Sequence, residues 1–249
     1  MVCAVRLSER PELKEPVLLE GLPGIGLVAN IAVAYLIREL KAKLFGEIRS
    51  ASFPDITLTE RDGSLKSPFS QLYYCHGRDG RERDLILLYG NTQALSRRGQ
   101  YELCGCILDT VENLGCRYVI TLGGYRPGRE VNQPNLYYAA TDPEAARIAA
   151  SLGAHVLGGQ IYGAAGLLVG LARLRGMKGF CLLAETSGTH LDREAAQAVL
   201  RAITPVLGLK LDIESLAEAE ELAEFLAPFD FGALARKPEK KETKPDWFI

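Results

Sequence analysis

The sequence is poor in the features that mark a membrane, nucleic-acid or metal protein. No apolar run reaches the ~18 residues of a membrane span. The longest, Ile31 to Ile37, runs into Arg38 and Glu39. Neither sign of charge dominates: 29 Lys and Arg stand against 31 Asp and Glu, a formal net charge of −2. That balance argues against a nucleic-acid face and against an acidic solvating tail. The opening Met-Val-Cys-Ala-Val-Arg lacks a signal-peptide pattern, so the cytoplasm is the expected location. His76, His155 and His190 are scattered, and only Cys75 offers a soft ligand beside one of them, so no metal site is expected. The 6 cysteines, at 3, 75, 104, 106, 116 and 181, fit neither a zinc ribbon nor a redox Cys-x-x-Cys. Cys104 and Cys106 stand two apart on an expected helix and face different ways. The cysteines read as small buried hydrophobes, with a disulfide open for a hyperthermophile source. There is no Walker lysine and no G-x-S-x-G elbow.

What is present is a globular α/β rhythm. Hydrophobic residues make up 47% of the 249, and a chain this long buries roughly 70–75% of its unfolded surface. Short apolar runs at Pro16–Glu20, Glu47–Phe53, Leu72–Cys75, Asp84–Tyr89, Tyr118–Leu122 and Phe180–Ala184 read as strands. Leu72–Cys75 and Asp84–Tyr89 read as a hairpin around the polar 77–83, and Asp62-Gly63 is a turn signal. Helical spacing covers Ile25–Leu44, Gly99–Leu114, Asp142–Leu152, Gly163–Leu174, Asp192–Leu207 and Glu214–Leu226. Asp142-Pro143 and Asp192 are placed as N-caps, and Gly115, Gly153 and Gly208 as stops. Helices alternating with apolar strands predict a largely parallel, twisted sheet with helices on both faces.

Two segments carry candidate chemistry. Gly21-Leu22-Pro23-Gly24-Ile25-Gly26 joins a strand to a helix, and Gly24, Gly26 and Ala29 satisfy the dinucleotide pattern G-x-G-x-x-G/A. The acidic residue that should close the next strand and hold a ribose is not in place, since Glu47 opens that strand. Close helix–strand packing needs glycine at the same positions. The second segment, Glu185 to Asp192, collects an acid, hydroxyls and His190 at the carboxyl end of a strand. A hydrolase uses such a set, and so does a turn that caps the next helix. An enzyme built on 21–29 or on 185–192 is the alternative reading of the whole chain.

The last residues differ in kind. From Arg236 to Asp246 nothing can bury surface. Then come Trp247, the chain's 1 tryptophan, Phe248 and Ile249. The chain divides into one domain over 1–230 and a charged tether over 231–249. Extended at ~3.3 Å per residue, the stretch from 236 to 246 spans about 35 Å. Two aromatic anchors and a carboxylate on such a line suit a partner's pocket with a cation in it. A tail that folds back onto its own domain, or that is incidental, is the other reading.

The segment Leu19-Glu20-Gly21-Leu22-Pro23-Gly24-Ile25-Gly26-Leu27-Val28-Ala29-Asn30 resembles the opening signature of the proteasome-assembly-chaperone family in its archaeal form. Further motifs follow in order: Pro54-Asp55, Asp62-Gly63, Gly90-Asn91-Thr92-Gln93, Leu122-Gly123-Gly124-Tyr125, Ile161 to Leu168, and Leu182 to Gly188. The resemblance runs from about Pro16 to Leu226. It implies a phosphorylase/hydrolase-like α/β fold, homo-oligomers, no cofactor, and no established catalytic site. It also implies docking onto α-ring subunits of the core proteasome through a C-terminal tail of hydrophobic residue, tyrosine and any residue. Trp247, Phe248 and Ile249 occupy those positions, which makes them the expected partner-binding residues. Phe248 lacks the tyrosine hydroxyl, whose hydrogen bond is worth roughly 0.5–1.5 kcal/mol net. Under this resemblance Gly24 and Gly26 serve packing.

Overall fold

The centre of the molecule is set by strands that are apolar on both sides. In a computed structural model, which describes residues 3–59, 62–78, 80, 82–188 and 191–218, every residue of β2 (Val17–Gly21) and β7 (Leu85–Gly90) is buried. Strands covered on both faces read as continuous apolar runs, the pattern of a parallel sheet between helical layers. β8 (Tyr118–Tyr125) and β11 (Lys178–Glu185) complete the centre. β7, β2, β8 and β11 run parallel to one another, with Leu19 level with Leu87 on one side and Ile120 on the other.

The sheet continues beyond this core in antiparallel pairings. β1 (Cys3–Leu7), β3 (Lys43–Ser50) and β6 (Ser70–Cys75) extend it on the β7 side, and β9 (Leu136–Ala140) and β10 (His155–Val156) on the β11 side. The 9-stranded order is β1-β3-β6-β7-β2-β8-β11-β9-β10. β1–β3, β3–β6, β6–β7 and β9–β11 pair antiparallel, and β9–β10 parallel. The expected hairpin is β6–β7. A separate hairpin of β4 (Leu58–Thr59) and β5 (Leu65–Lys66) turns through Asp62, whose carboxylate accepts the Ser64 amide at 2.9 Å.

Helices cover both faces. α1 (Val28–Glu39), α3 (Pro143–Ser151) and α5 (Arg193–Val206) pack with Leu19, Leu87, Ile120 and Leu182. α2 (Arg97–Glu112) and α4 (Ala164–Leu174) pack on Leu18, Ile86, Leu88 and Val119, the residues between. Burying one such leucine contributes about 1.5–3 kcal/mol. The caps fall where the sequence places them: Asp142 accepts the amides of Glu144 and Ala145, and Asp192 that of Ala195 at 2.9 Å.

The end of α1 differs from the sequence pattern. α1 stops at Glu39 because Lys41 takes a left-handed φ of 51° and the Ala42 amide closes back onto the Ile37 carbonyl. Residues 43–50 are thus released to the sheet. Of the last expected helix, Glu214–Leu226, the described residues show a 3₁₀ turn over Ile213–Glu218, and 219–226 lie outside them. The boundary at 230, the tether and Trp247, Phe248 and Ile249 lie outside the described residues. Among the described residues no helix is long and apolar enough to cross a membrane.

Candidate functional site

In open α/β sheets ligands bind beyond the carboxyl ends of the parallel strands, and both chemical candidates from the sequence meet there. The glycine-rich turn leaves β2 and starts α1 without a side-chain cap, at Leu27 in the left-handed region. Gly21 has no room for a side chain, because a Cβ would overlap Val33 of α1. Gly26 has φ +65°, and a Cβ there would lie 2.6 Å from the Thr186 hydroxyl and 3.3 Å from Asp192. Gly24 differs: its φ is −152° and nothing lies within 4 Å of a Cβ. Close packing therefore dictates Gly21 and Gly26 but not Gly24.

The packing partner of this turn is the second candidate segment. The Asp192 amide donates to the Gly26 carbonyl at 2.9 Å. Thr186 donates its hydroxyl proton to Asp192 Oδ2 at 2.5 Å and accepts the Gly188 amide at 3.0 Å. Thr186 and Asp192 thus close the turn and cap α5, as the packing reading requires. Thr189 and His190 lie outside the described residues.

Glu185 closes β11 with a buried carboxylate. Arg129 grips both oxygens at 2.7 and 2.8 Å, Asn135 donates through its side chain at 2.9 Å and its amide at 3.2 Å, and Tyr137 donates at 3.0 Å. Burial pushes the Glu185 carboxyl up, but the hydrogen bonds from Asn135 and Tyr137 and the Arg129 charge outweigh it and hold it below the usual range. A carboxylate so saturated is a latch for the 126–135 loop and a poor proton acceptor.

A second set of polar side chains ties the neighbouring strand ends together. Asn30 of α1 donates at 2.8 Å to the carbonyls of both Gly21 and Gly90, joining β2 to β7. Asn91 accepts the Phe69 amide at 2.8 Å. Gln93 bridges three elements: it donates to Pro23 O at 2.6 Å, accepts the Ala164 amide that opens α4 at 2.9 Å, and accepts from Gln100 of α2 at 2.9 Å. The roles of Asn30, Gln93, Arg129, Asn135 and Tyr137 are invisible in one sequence. Their partners come together only through the topology.

Glu20 stands in an apolar strand, yet it is the chemically odd member of this region. Its side chain is buried in the sheet. Oε1 accepts the Leu22 amide at 2.8 Å, and Oε2 has no hydrogen-bond partner among the described residues. Burial pushes its carboxyl up to about 8, and the Leu22 and Leu122 amides oppose the rise without cancelling it. The signal for it was one acid, uninterrupted by polar neighbours, inside Val17-Leu18-Leu19-Glu20. Among the described residues no group of three or more His, Cys, Asp or Glu side chains is placed to hold a metal ion.

Parallel centre, antiparallel flanks and strand ends latched by the chain's own side chains define a mixed-sheet α/β domain covered by helices on both faces. The chain belongs to the PAC2 family, whose model matches residues 18–227. A solved structure similar to it is that of Pyrococcus furiosus PbaB, described as an archaeal proteasome activator. The match has 38% identity, covers 91% of this chain and 98% of that one, and has a TM-score of 0.82. P. furiosus PbaA, described as an archaeal homologue of proteasome-assembly chaperone, matches at 27% identity over 91% and 95% of the two chains, with a TM-score of 0.74. An uncharacterised protein of Methanocaldococcus jannaschii, MJ1210, is 34% identical over 227 residues, which is 89% of this chain and 85% of the relative. The family read from the ordered motifs is thereby shown.

Proposed function

We propose that this protein is a chaperone or activator of the core proteasome that works by docking and carries out no catalytic step. The observation that carries the reading is the likeness to PbaB, 38% identical with a TM-score of 0.82 across nearly the whole of both chains. The strand-end chemistry supports it. Glu185, Thr186, Asp192, Asn30 and Gln93 all spend their hydrogen bonds within the chain, and a general base or nucleophile needs a free face.

The partner is the α-ring, and the docking element is Trp247, Phe248 and Ile249, held on the 231–249 tether in the cytoplasm. The two rings fill an apolar pocket, and Phe248 does so without the hydroxyl bond that a tyrosine adds. One tail binds weakly. A homo-oligomer presents several, and linkage raises avidity by about 10² to 10⁴ where the tethers span the pockets. Self-association is supported by a groove of about 620 Å³ between α2 and α4, lined by Tyr101, Leu167, Leu171 and Leu174. Leu174 is 82% exposed there and Tyr101 59%.

Co-sedimentation of the full-length protein with purified archaeal core particles tests the reading. Retention with intact particles or with isolated α-rings supports it. A protein that stays in the supernatant with both overturns it.

A further inference from the structure

The opposite end of the sheet carries a cleft that the candidate site does not use. It lies where α1 ends, β3 begins and the β6–β7 hairpin turns, at the amino end of β7. Its volume is about 310 Å³, at the small end of the range for ligand pockets. One wall is apolar, made by Leu40, Leu209 and the ring of Tyr74, which edge contacts with Phe45 and His76 hold in place. The rest of the lining is largely cationic: Lys41, Lys43, Arg78 and Arg83. A chain whose net charge is −2 thus gathers several cations round one opening.

Two of these charges are already answered. Lys43 pairs with Glu9 at 2.9 Å, and Arg78 with Glu82, the acid in the lining, at 3.0 Å. Asp84, 3.6 Å from His76, spends its oxygens on the amides of Lys14 and Gly77. Lys41 and Arg83 have no ion pair and no side-chain hydrogen bond among the described residues. Lys41 also holds the left-handed φ of 51° that ends α1. Glycine, or failing that asparagine, takes such a position with least strain. A lysine is strained there, and what the strain retains is an ammonium group at the cleft.

We propose that this cleft binds a small phosphate monoester, with Lys41 and Arg83 on the phosphate and the organic part against Leu40, Leu209 and Tyr74. A phosphate monoester is a dianion above its second pKa of about 6, so it matches the two unanswered charges. A guanidinium can take two phosphate oxygens at once, and a lysine ammonium adds a point charge. Inorganic phosphate leaves the apolar wall uncovered, and a simple carboxylate brings only one charge. A nucleotide and a sugar phosphate share this chemistry, and the test separates them.

The full-length protein is titrated calorimetrically, at constant ionic strength, with AMP, glucose-6-phosphate and inorganic phosphate. The expected result is saturable binding of at least one ester, weaker binding of inorganic phosphate by about tenfold or more, and none of adenosine or glucose. Arg83→Gln and Lys41→Gly should each weaken the ester by about tenfold or more. Lys41→Gly should do so while its unfolding temperature holds or rises, because glycine relieves the left-handed strain. Loss of binding is then not loss of fold. Binding of AMP alone assigns a nucleotide, binding of glucose-6-phosphate alone a sugar ester, and binding of both makes the phosphate the recognised group. The proposal is overturned if neither ester binds, if both variants bind as wild type does, or if inorganic sulfate binds as tightly as the esters.

Discussion

Glu20 ties the stability of this domain to pH in a direction opposite to that of most carboxylates. Its carboxyl titrates near 8 in the folded chain because burial disfavours the charged form. In the unfolded chain it returns to the ordinary glutamate range near 4.3. Between those values the folded state holds the proton and the unfolded state has lost it. Stability is then greatest below the unfolded pKa and falls as pH rises toward the folded one, flattening above it. At ~1.4 kcal/mol per pKa unit, the full swing is roughly 5 kcal/mol. The ionisable groups that face it are Cys104 of α2 and Cys181 of β11, and both stay neutral over this range. Glu20→Gln keeps the shape of the neutral acid and removes the titration. Denaturant unfolding at steps from pH 5 to pH 9 should show wild type losing several kcal/mol relative to the variant, the difference building as pH approaches 8. Parallel profiles for the two proteins would refute the reasoning.

Three further outcomes follow from the packing and the surface. Gln93→Leu keeps volume but strands the Pro23 carbonyl and the Ala164 amide. It should cost about 2–4 kcal/mol in chemical denaturation; a cost under ~0.5 kcal/mol would mean that the bridge is idle. Gly26→Ala forces a side chain into a left-handed position against Thr186 and should cost about 1–3 kcal/mol. Gly24→Ala meets open space at an extended φ and should stay within ~0.5 kcal/mol; equal losses at the two glycines would contradict the packing account of the turn. Leu174→Asp should leave unfolding nearly unchanged and shift light-scattering mass to a smaller species; an unaltered mass would remove the α2–α4 groove as the self-association surface.

The central strands were legible because burial on both faces leaves no polar residue to interrupt them, as in Leu85 to Tyr89. The flanks were not. β1 and β9 are half-exposed along their length, so Cys3–Leu7 and Leu136–Ala140 show no apolar run to stand out from a loop. The apolar spacing overruns α1 because Leu40 and Leu44 continue it, and only the left-handed Lys41 ends the helix. The glycine pattern at 21–26 was visible, but its meaning was not. Gly26 answers to Thr186 and Asp192, which the sheet order β2-β8-β11 brings alongside, and G-x-G spacing is the same for a phosphate or for a neighbouring turn. The caps at Asp142 and Asp192 needed only local chemistry and were read directly. Gly90-Asn91-Thr92-Gln93 counts in the sequence only as one motif of the ordered series that carries the family resemblance, and its mechanics show only in the fold, where Gln93 reaches partners in three separate elements.

Affinity for purified archaeal core proteasome, measured for the full-length protein beside Trp247→Ala and a form lacking Trp247 to Ile249, tests the docking claim most directly. The account predicts binding by the full-length protein, a strong loss with Trp247→Ala, and none with the truncated form. Undiminished binding by the truncated form would contradict it and move the contact surface onto the folded domain.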